Sequence, residues 1–106
     1  MTDDVFSTTF GRRLPTGRRT SSGRGSGYLE VGEPYVTLLT GVVRSEVDRK
    51  RLDDVVEARI AKFLWFYSIV LVFTDGTEWS FSPAKATRIR MLARLQGLGV
   101  KIAEAT

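Results

Sequence analysis

The feature that most constrains this chain is a dipeptide between two strand-like runs. Ser68-Ile-Val-Leu-Val-Phe-Thr74 is followed by Asp75-Gly76 and then by Thr77-Glu-Trp-Ser-Phe-Ser82. Asp-Gly suits a two-residue type I′ turn, whose positive φ values match the right-handed twist of paired strands. That turn sets the register: Thr74 opposes Thr77, Val72 opposes Trp79 and Val70 opposes Phe81. Val70, Val72, Trp79 and Phe81 then share one face, with Ile69, Leu71, Phe73, Glu78, Ser80 and Ser82 on the other. The first strand is apolar on both faces, as expected of a central strand with a partner or helix over its second face.

Other strands are legible around it. Tyr28–Val31 and Tyr35–Thr40 flank Gly32-Glu33-Pro34, and Gly41 permits a turn before Val42–Val47. Residues 48–63 fit both periods. Leu52, Val55, Val56, Arg59, Ile60 and Phe63 make a helical stripe, while Val56, Ala58 and Ile60 alternate as in a strand. The adjacent β-branched Val55 and Val56 tilt the balance toward a strand. A helix is expected over 83–96, with Ser82 as N-cap, Pro83 in the first helical position and Gly97 as the stop. Val100–Ile102 then adds a short last strand or packs as a tail. The fold class is α+β, mainly β: a small antiparallel sheet or partly open barrel capped by the C-terminal helix.

Residues 1–27 read as an extended basic arm, with Phe6 and Phe10 placed to dock as a short anchoring strand or peptide, and 28–106 as the folded domain. From Phe10 to Gly27 the chain is rich in Gly, Ser and Arg and has little to bury against its ordering entropy. Arg12, Arg13, Arg18, Arg19 and Arg24, set against Asp3 and Asp4, give this segment +3 of the chain's net +4. The arm is either a solvated tail or a binder of an anionic partner such as nucleic acid, acidic lipid or an acidic protein surface. Arg88, Arg90, Arg94 and Lys101 make the end of the helix basic. Favourable interaction with the helix dipole accounts for this; a DNA-recognition helix would want a preceding helix, where here a hairpin precedes.

The chain has 106 residues and contains neither cysteine nor histidine. That excludes disulfides, thiolate metal sites, thiol nucleophiles and any Ser-His-Asp arrangement. Asp53 and Asp54 are neighbours that a strand would point apart, and Gly23-Arg-Gly-Ser-Gly27 lacks the lysine of a phosphate-binding loop. The expectation is a protein with no catalytic activity, no metal or other cofactor and no small-molecule substrate. The start is acidic with no apolar run after it, and Phe63–Phe73 is too short to span a bilayer, so neither a signal peptide nor a membrane span is expected. Together with the absence of cysteine this suits a cytoplasmic protein. Arginine outnumbers lysine twelve to four and asparagine is absent, the bias of a GC-rich genome such as that of an actinobacterium or its phage.

The string of short strands, then Leu52-Asp-Asp-Val-Val-Glu-Ala-Arg59, Ile69-Val-Leu-Val-Phe-Thr-Asp-Gly-Thr-Glu-Trp-Ser-Phe81 and a final amphipathic helix, resembles a bacterial pleckstrin-homology-like domain over about residues 28–98. The resemblance implies a bent antiparallel barrel capped by its C-terminal helix and acting as a docking module for proteins. Lipid binding is not implied, because no basic cluster matches a phosphoinositide pocket.

The function expected is a protein-interaction or assembly module. Its interface candidates are the aromatics Phe63, Trp65, Phe66 and Tyr67 with Leu71 and Phe73 of the doubly apolar strand. The partner is another protein or a second copy, and a component of a virion or other large assembly is a special case. Non-specific nucleic-acid binding through the five arginines of the arm is the alternative.

Overall fold

The computed structural model describes residues 4–14, 25–41, 43–63 and 66–104. The chain is mainly β. The described strands are β1 (Asp4–Arg13), β2 (Gly25–Val31), β3 (Tyr35–Thr40), β4 (Glu46–Arg51), β5 (Val55–Phe63), β6 (Phe66–Phe73), β7 (Glu78–Phe81) and β8 (Ile102–Glu104). The helix α1 (Lys85–Gly97) lies between β7 and β8. One sheet holds all eight strands in the order β4-β3-β2-β1-β7-β6-β5-β8. It consists of two antiparallel meanders, β1–β4 and β5–β7, joined where β1 pairs with β7. β8 adds in parallel to β5, so the sheet stays open with β4 and β8 at its edges.

β1 corrects the reading of residues 1–27 as a detached arm. Asp4–Arg13 is the strand that joins the two meanders, and Gly25–Gly27 opens β2. The signal was period-two alternation: Phe6, Thr8 and Phe10 are buried, whereas Val5, Ser7 and Thr9 are exposed. Phe6 and Phe10 marked its start, and low overall hydropathy hid its full length, because only one face of β1 is apolar. What remains of the arm is the connection from β1 to β2, whose residues 15–24 lie outside the described residues.

The β6–β7 hairpin exists, but its register differs by one residue from the expected one. Ile69 opposes Phe81, Leu71 opposes Trp79 and Val72 opposes Glu78. Gly76 N–H bonds Phe73 O, Phe73 N–H bonds Thr77 O, and Gly76 has φ +88°. The loop therefore contains three residues, with only the glycine left-handed, the turn-plus-bulge alternative to a type I′ turn. The Asp75 side chain stabilises it by accepting from Thr77 N–H at 2.8 Å. A one-residue slip exchanges the faces. Ile69, Leu71 and Phe73 join Trp79 and Phe81 in the core, and Val70 and Val72 face outward, half-buried.

Residues 48–63 are strands, in keeping with the tilt of the sequence, with a 3₁₀ turn at Leu52–Asp54 between β4 and β5. The pairing of β5 with β6 slips between Val55 and Glu57. A bulge there leaves Val56 exposed while Ala58 is buried, which explains why neither simple period fits the stretch.

The helix begins at Lys85, with Ala84 rather than Ser82 at its N-cap and no side-chain cap. Ser82 is still committed to the sheet, its N–H donating to Thr9 O. The helix runs through Gly97 and stops at Gly99, whose φ is +90°. Val100 N–H bonds Leu95 O and Gly99 N–H bonds Gln96 O, a Schellman end sealed by buried Val100 against buried Leu95. Met91 and Leu95 are fully buried in one core with Phe6, Leu29, Leu71, Phe73, Trp79 and Phe81. The Trp79 ring meets Phe73 edge-on at 4.7 Å.

Two charged side chains of the edge strand hold the curl of the sheet. Asp48 and Lys50 oppose the core residues Leu38 and Val36, so both turn toward the inner face. Asp48 pairs with Arg12 of β1 at 3.1 Å, and Lys50 with Asp75 of the β6–β7 turn at 2.6 Å. Inward-pointing charges also discourage another strand from adding to β4.

Candidate interaction surfaces

The outer face of the sheet has an unusual floor. Strand register places Thr9 beside Ser26 and Ser68 beside Ala61, and Ser82 lies between Thr9 and Ser68. The next row holds Gly11, Ser80 and Val70. Across β1, β7 and β6 no outward side chain in these two rows is larger than valine, and Arg59 of β5, opposite Val70, closes the second row. The result is a trough of about 650 Å³ over five strands, with Arg13 and Glu78 opposed at its rim. Ser68 Oγ lies 3.2 Å from Ser82 Oγ, and Ser80 Oγ donates to Gly11 O at 3.4 Å. These hydroxyls have no imidazole to activate them, since the chain has no histidine. Small side chains and hydroxyls over a sheet suit close approach by an extended backbone.

The residues singled out in the sequence separate into different surroundings. Arg12 lies on the inner face opposite Trp79, its side chain 17 % exposed and paired with Asp48. It is therefore committed within the fold and is withdrawn as a contact for an anionic partner. Arg13 is exposed at the end of β1. Arg18, Arg19 and Arg24 lie outside the described residues, in the β1–β2 connection.

Leu71 and Phe73 are 0 % and 2 % exposed, so the hairpin register that places them in the core removes them from any interface. Phe63 and Phe66 oppose each other at the end of the β5–β6 hairpin. Their side chains, and Leu64 and Trp65 altogether, lie outside the described residues. Tyr67 is half-buried beneath two cations, with the Arg88 guanidinium 4.4 Å and Lys62 Nζ 5.8 Å from its ring centroid.

Sequence reasoning missed the trough. The strings Phe6–Gly11, Ser68–Val70 and Ser80–Ser82 give no hint singly that their small residues meet on one face. The available signal was the serine and threonine at alternate strand positions, and it needs the strand order to become a surface.

No protein-family model matches the chain, and no curated protein matches it either. Among the described residues no three His, Cys, Asp or Glu side chains converge as a metal site, and no helix is long and apolar enough to cross a membrane. Asp75 is the carboxylate with a displaced pKa, lowered to about 2 by its hydrogen bond from Lys50 and then by that from Thr77 N–H. Both partners belong to the fold of the hairpin and the curl of the sheet, which explains the shift without a catalytic role.

Proposed function

We propose that this chain is a non-catalytic protein-interaction and assembly module. Its outer trough receives an extended segment of a second copy, while its arginine-bearing β1–β2 connection reaches an anionic or neighbouring-subunit surface. The trough floor carries this reading. An exposed sheet face with small outward side chains along β1, β7 and β6 leaves room for a backbone and offers hydroxyls to meet it. The antiparallel sheet capped by a C-terminal helix supports the pleckstrin-homology-like resemblance, and with it a docking role. A subunit of a virion or another large assembly is one setting for such contacts.

The test is sedimentation velocity over a micromolar-to-millimolar series, comparing the natural protein with Ser80→Trp. The indole fills the trough from an exposed position, so folding measured by thermal melting is preserved. The natural protein is expected to self-associate and the variant to remain monomeric. A natural protein that stays monomeric, or association that survives Ser80→Trp, overturns the proposal.

Nucleic-acid binding through Arg13, Arg18, Arg19 and Arg24 is the second reading, favoured by the exposure of Arg13 where the connection leaves β1. It predicts a fall in log K with log salt of roughly 0.9 per duplex phosphate neutralised, hence a slope near −3 to −4. A slope unchanged by Arg18→Ser, Arg19→Ser and Arg24→Ser together refutes it.

A further inference from the structure

We propose that α1 docks in the major groove of double-stranded DNA, with cations on both flanks of the helix meeting the phosphates of the two strands. Charge is segregated along the chain. Residues 28–82 hold six basic and nine acidic side chains, whereas 83–101 hold Lys85, Arg88, Arg90, Arg94 and Lys101 and no acidic one. The ion pairs of the sheet and its turns engage Arg12, Arg49, Lys50, Arg51 and Arg59. Lys85, Arg88, Arg90 and Lys101 form none among the described residues. The carboxylates left outside those pairs, Glu30, Glu33, Asp54, Glu78 and Glu104, are scattered over three strands and two turns. The described residues therefore offer no acidic patch to complement the helix, and a second copy does not supply the anion.

Helical geometry arranges these cations. At roughly 3.6 residues per turn, Lys85 and Arg88 fall on one flank of α1 and Arg90 and Arg94 on the other. Between them runs an exposed ridge of Ala86, Ile89, Ala93 and Gly97, opposite buried Met91 and Leu95. Aromatic rings hold one arginine of each flank. The Arg88 guanidinium lies 4.4 Å from the Tyr67 ring centroid, and that of Arg90 5.8 Å from the Phe6 ring centroid. A ring orders a guanidinium without neutralising it. The helix dipole favours Arg94 in the last turn but opposes Lys85, which opens a first turn with no acidic residue. A narrow ridge between two rows of cations matches the major groove, about 12 Å wide, which admits a helix between its two phosphate strands. The preceding β6–β7 hairpin is no obstacle, since a hairpin followed by a helix is one arrangement that presents a helix to this groove. A bilayer would want large apolar side chains on the exposed arc, where Ile89 alone is large. The ridge brings only Gln96 beside it to hydrogen-bond base edges, so phosphate contacts set affinity and sequence preference is slight.

The experiment is fluorescence anisotropy of a labelled DNA duplex titrated with the full chain over roughly 50 to 200 mM salt. Each neutralised phosphate contributes about −0.9 to the slope of log K against log salt, so Lys85→Ala with Arg90→Ala should flatten the slope by roughly 1.8. Both residues are exposed, and thermal melting should show the fold retained. Ala93→Trp keeps every cation but obstructs the ridge, and should lose DNA binding while still binding heparin, a flexible polyanion. Duplex RNA of the same length, whose major groove is too deep and narrow for the helix, should be released at salt where DNA stays bound. No binding to duplex DNA, equal binding to duplex RNA, or full DNA binding by Ala93→Trp overturns the proposal. So does a slope unchanged by the Lys85 and Arg90 substitutions but flattened by Arg18→Ser, Arg19→Ser and Arg24→Ser, which would locate the contacts in the β1–β2 connection. Capture by phosphatidylserine vesicles with none by duplex DNA would also overturn it, in favour of a membrane.

Discussion

The one-residue register of the β6–β7 hairpin can be tested by two neighbouring alanine substitutions. Leu71 is fully buried in a strand paired on both sides, opposite Trp79. Leu71→Ala removes buried methyl groups and leaves a cavity that flanking β5 and β7 restrict from collapsing, at a cost of about 3 kcal/mol. That is a large share of the ~5–15 kcal/mol stability of an ordinary small domain, equivalent to a melting-point fall of roughly 12–24 °C. Val70 is half-buried on the outer face over the trough, opposite Ser80. Val70→Ala therefore costs about 1 kcal/mol, part of it strand propensity. Urea unfolding followed by tryptophan fluorescence measures both, with unchanged m-values showing that the comparison is of stability alone. The two-residue turn suggested by Asp75-Gly76 reverses the order, because it puts Val70 beside Phe81 on the inner face. If Val70→Ala costs as much as Leu71→Ala or more, the three-residue loop is wrong, and with it the floor of the trough.

Three further outcomes follow from the same contacts. Gly97→Ala should stabilise the protein by about 0.5–1 kcal/mol, because Gly97 is helical with open space at its Cβ, whereas Gly99→Ala at φ +90° should destabilise it by about 1 kcal/mol; thermal melting reads the opposite signs. Asp48→Ala leaves the largely buried Arg12 guanidinium without its ion-pair partner and should cost about 1–3 kcal/mol, with Arg12→Met on top recovering part of the loss in a double-mutant cycle. For Asp75 the folded pKa, about 2, is below the unfolded value near 4, so its contribution is full above that range and fades as pH falls from 4 to 2. Half of the side chain is exposed, so that contribution is under about 1 kcal/mol, and acid titration of stability should show the gap between the natural protein and Asp75→Asn closing over those pH values.

The sequence is most informative where a local rule meets no competitor. The hairpin, the strand reading of 48–63 and the existence of the C-terminal helix rest on alternation, β-branched residues and helical periodicity, and each element is present. Three of the errors share one cause: a local signal was overridden by a tertiary partner. Ser82 and Pro83 have the chemistry of a helix start, but Ser82 N–H is taken by Thr9 O, and the helix waits until Lys85. Gly97 has the chemistry of a helix stop, but Leu95 and Val100 pack together only if the chain continues to Gly99. Asp75-Gly76 fits a two-residue turn, yet the core has room for Phe73 alongside Trp79, and the three-residue loop delivers it there.

The interaction surfaces were legible in composition and illegible in position. Arginine counts locate a basic segment, but they cannot tell Arg12, folded inward onto Asp48, from Arg13 beside it, which is exposed. Alternation along β1 separates them, and it was obscured because the segment's glycines and serines read as disorder. Two of those small residues then acquire a different meaning. Under the proposed function, Gly11 and Ser26, together with Ser80 and Ser82, are small because another backbone approaches the outer face there. A solvated tail would tolerate large polar residues at those positions equally well. A docking floor would not, and replacing Ser80 with tryptophan distinguishes the two by changing the area available for contact while leaving the net charge as it is.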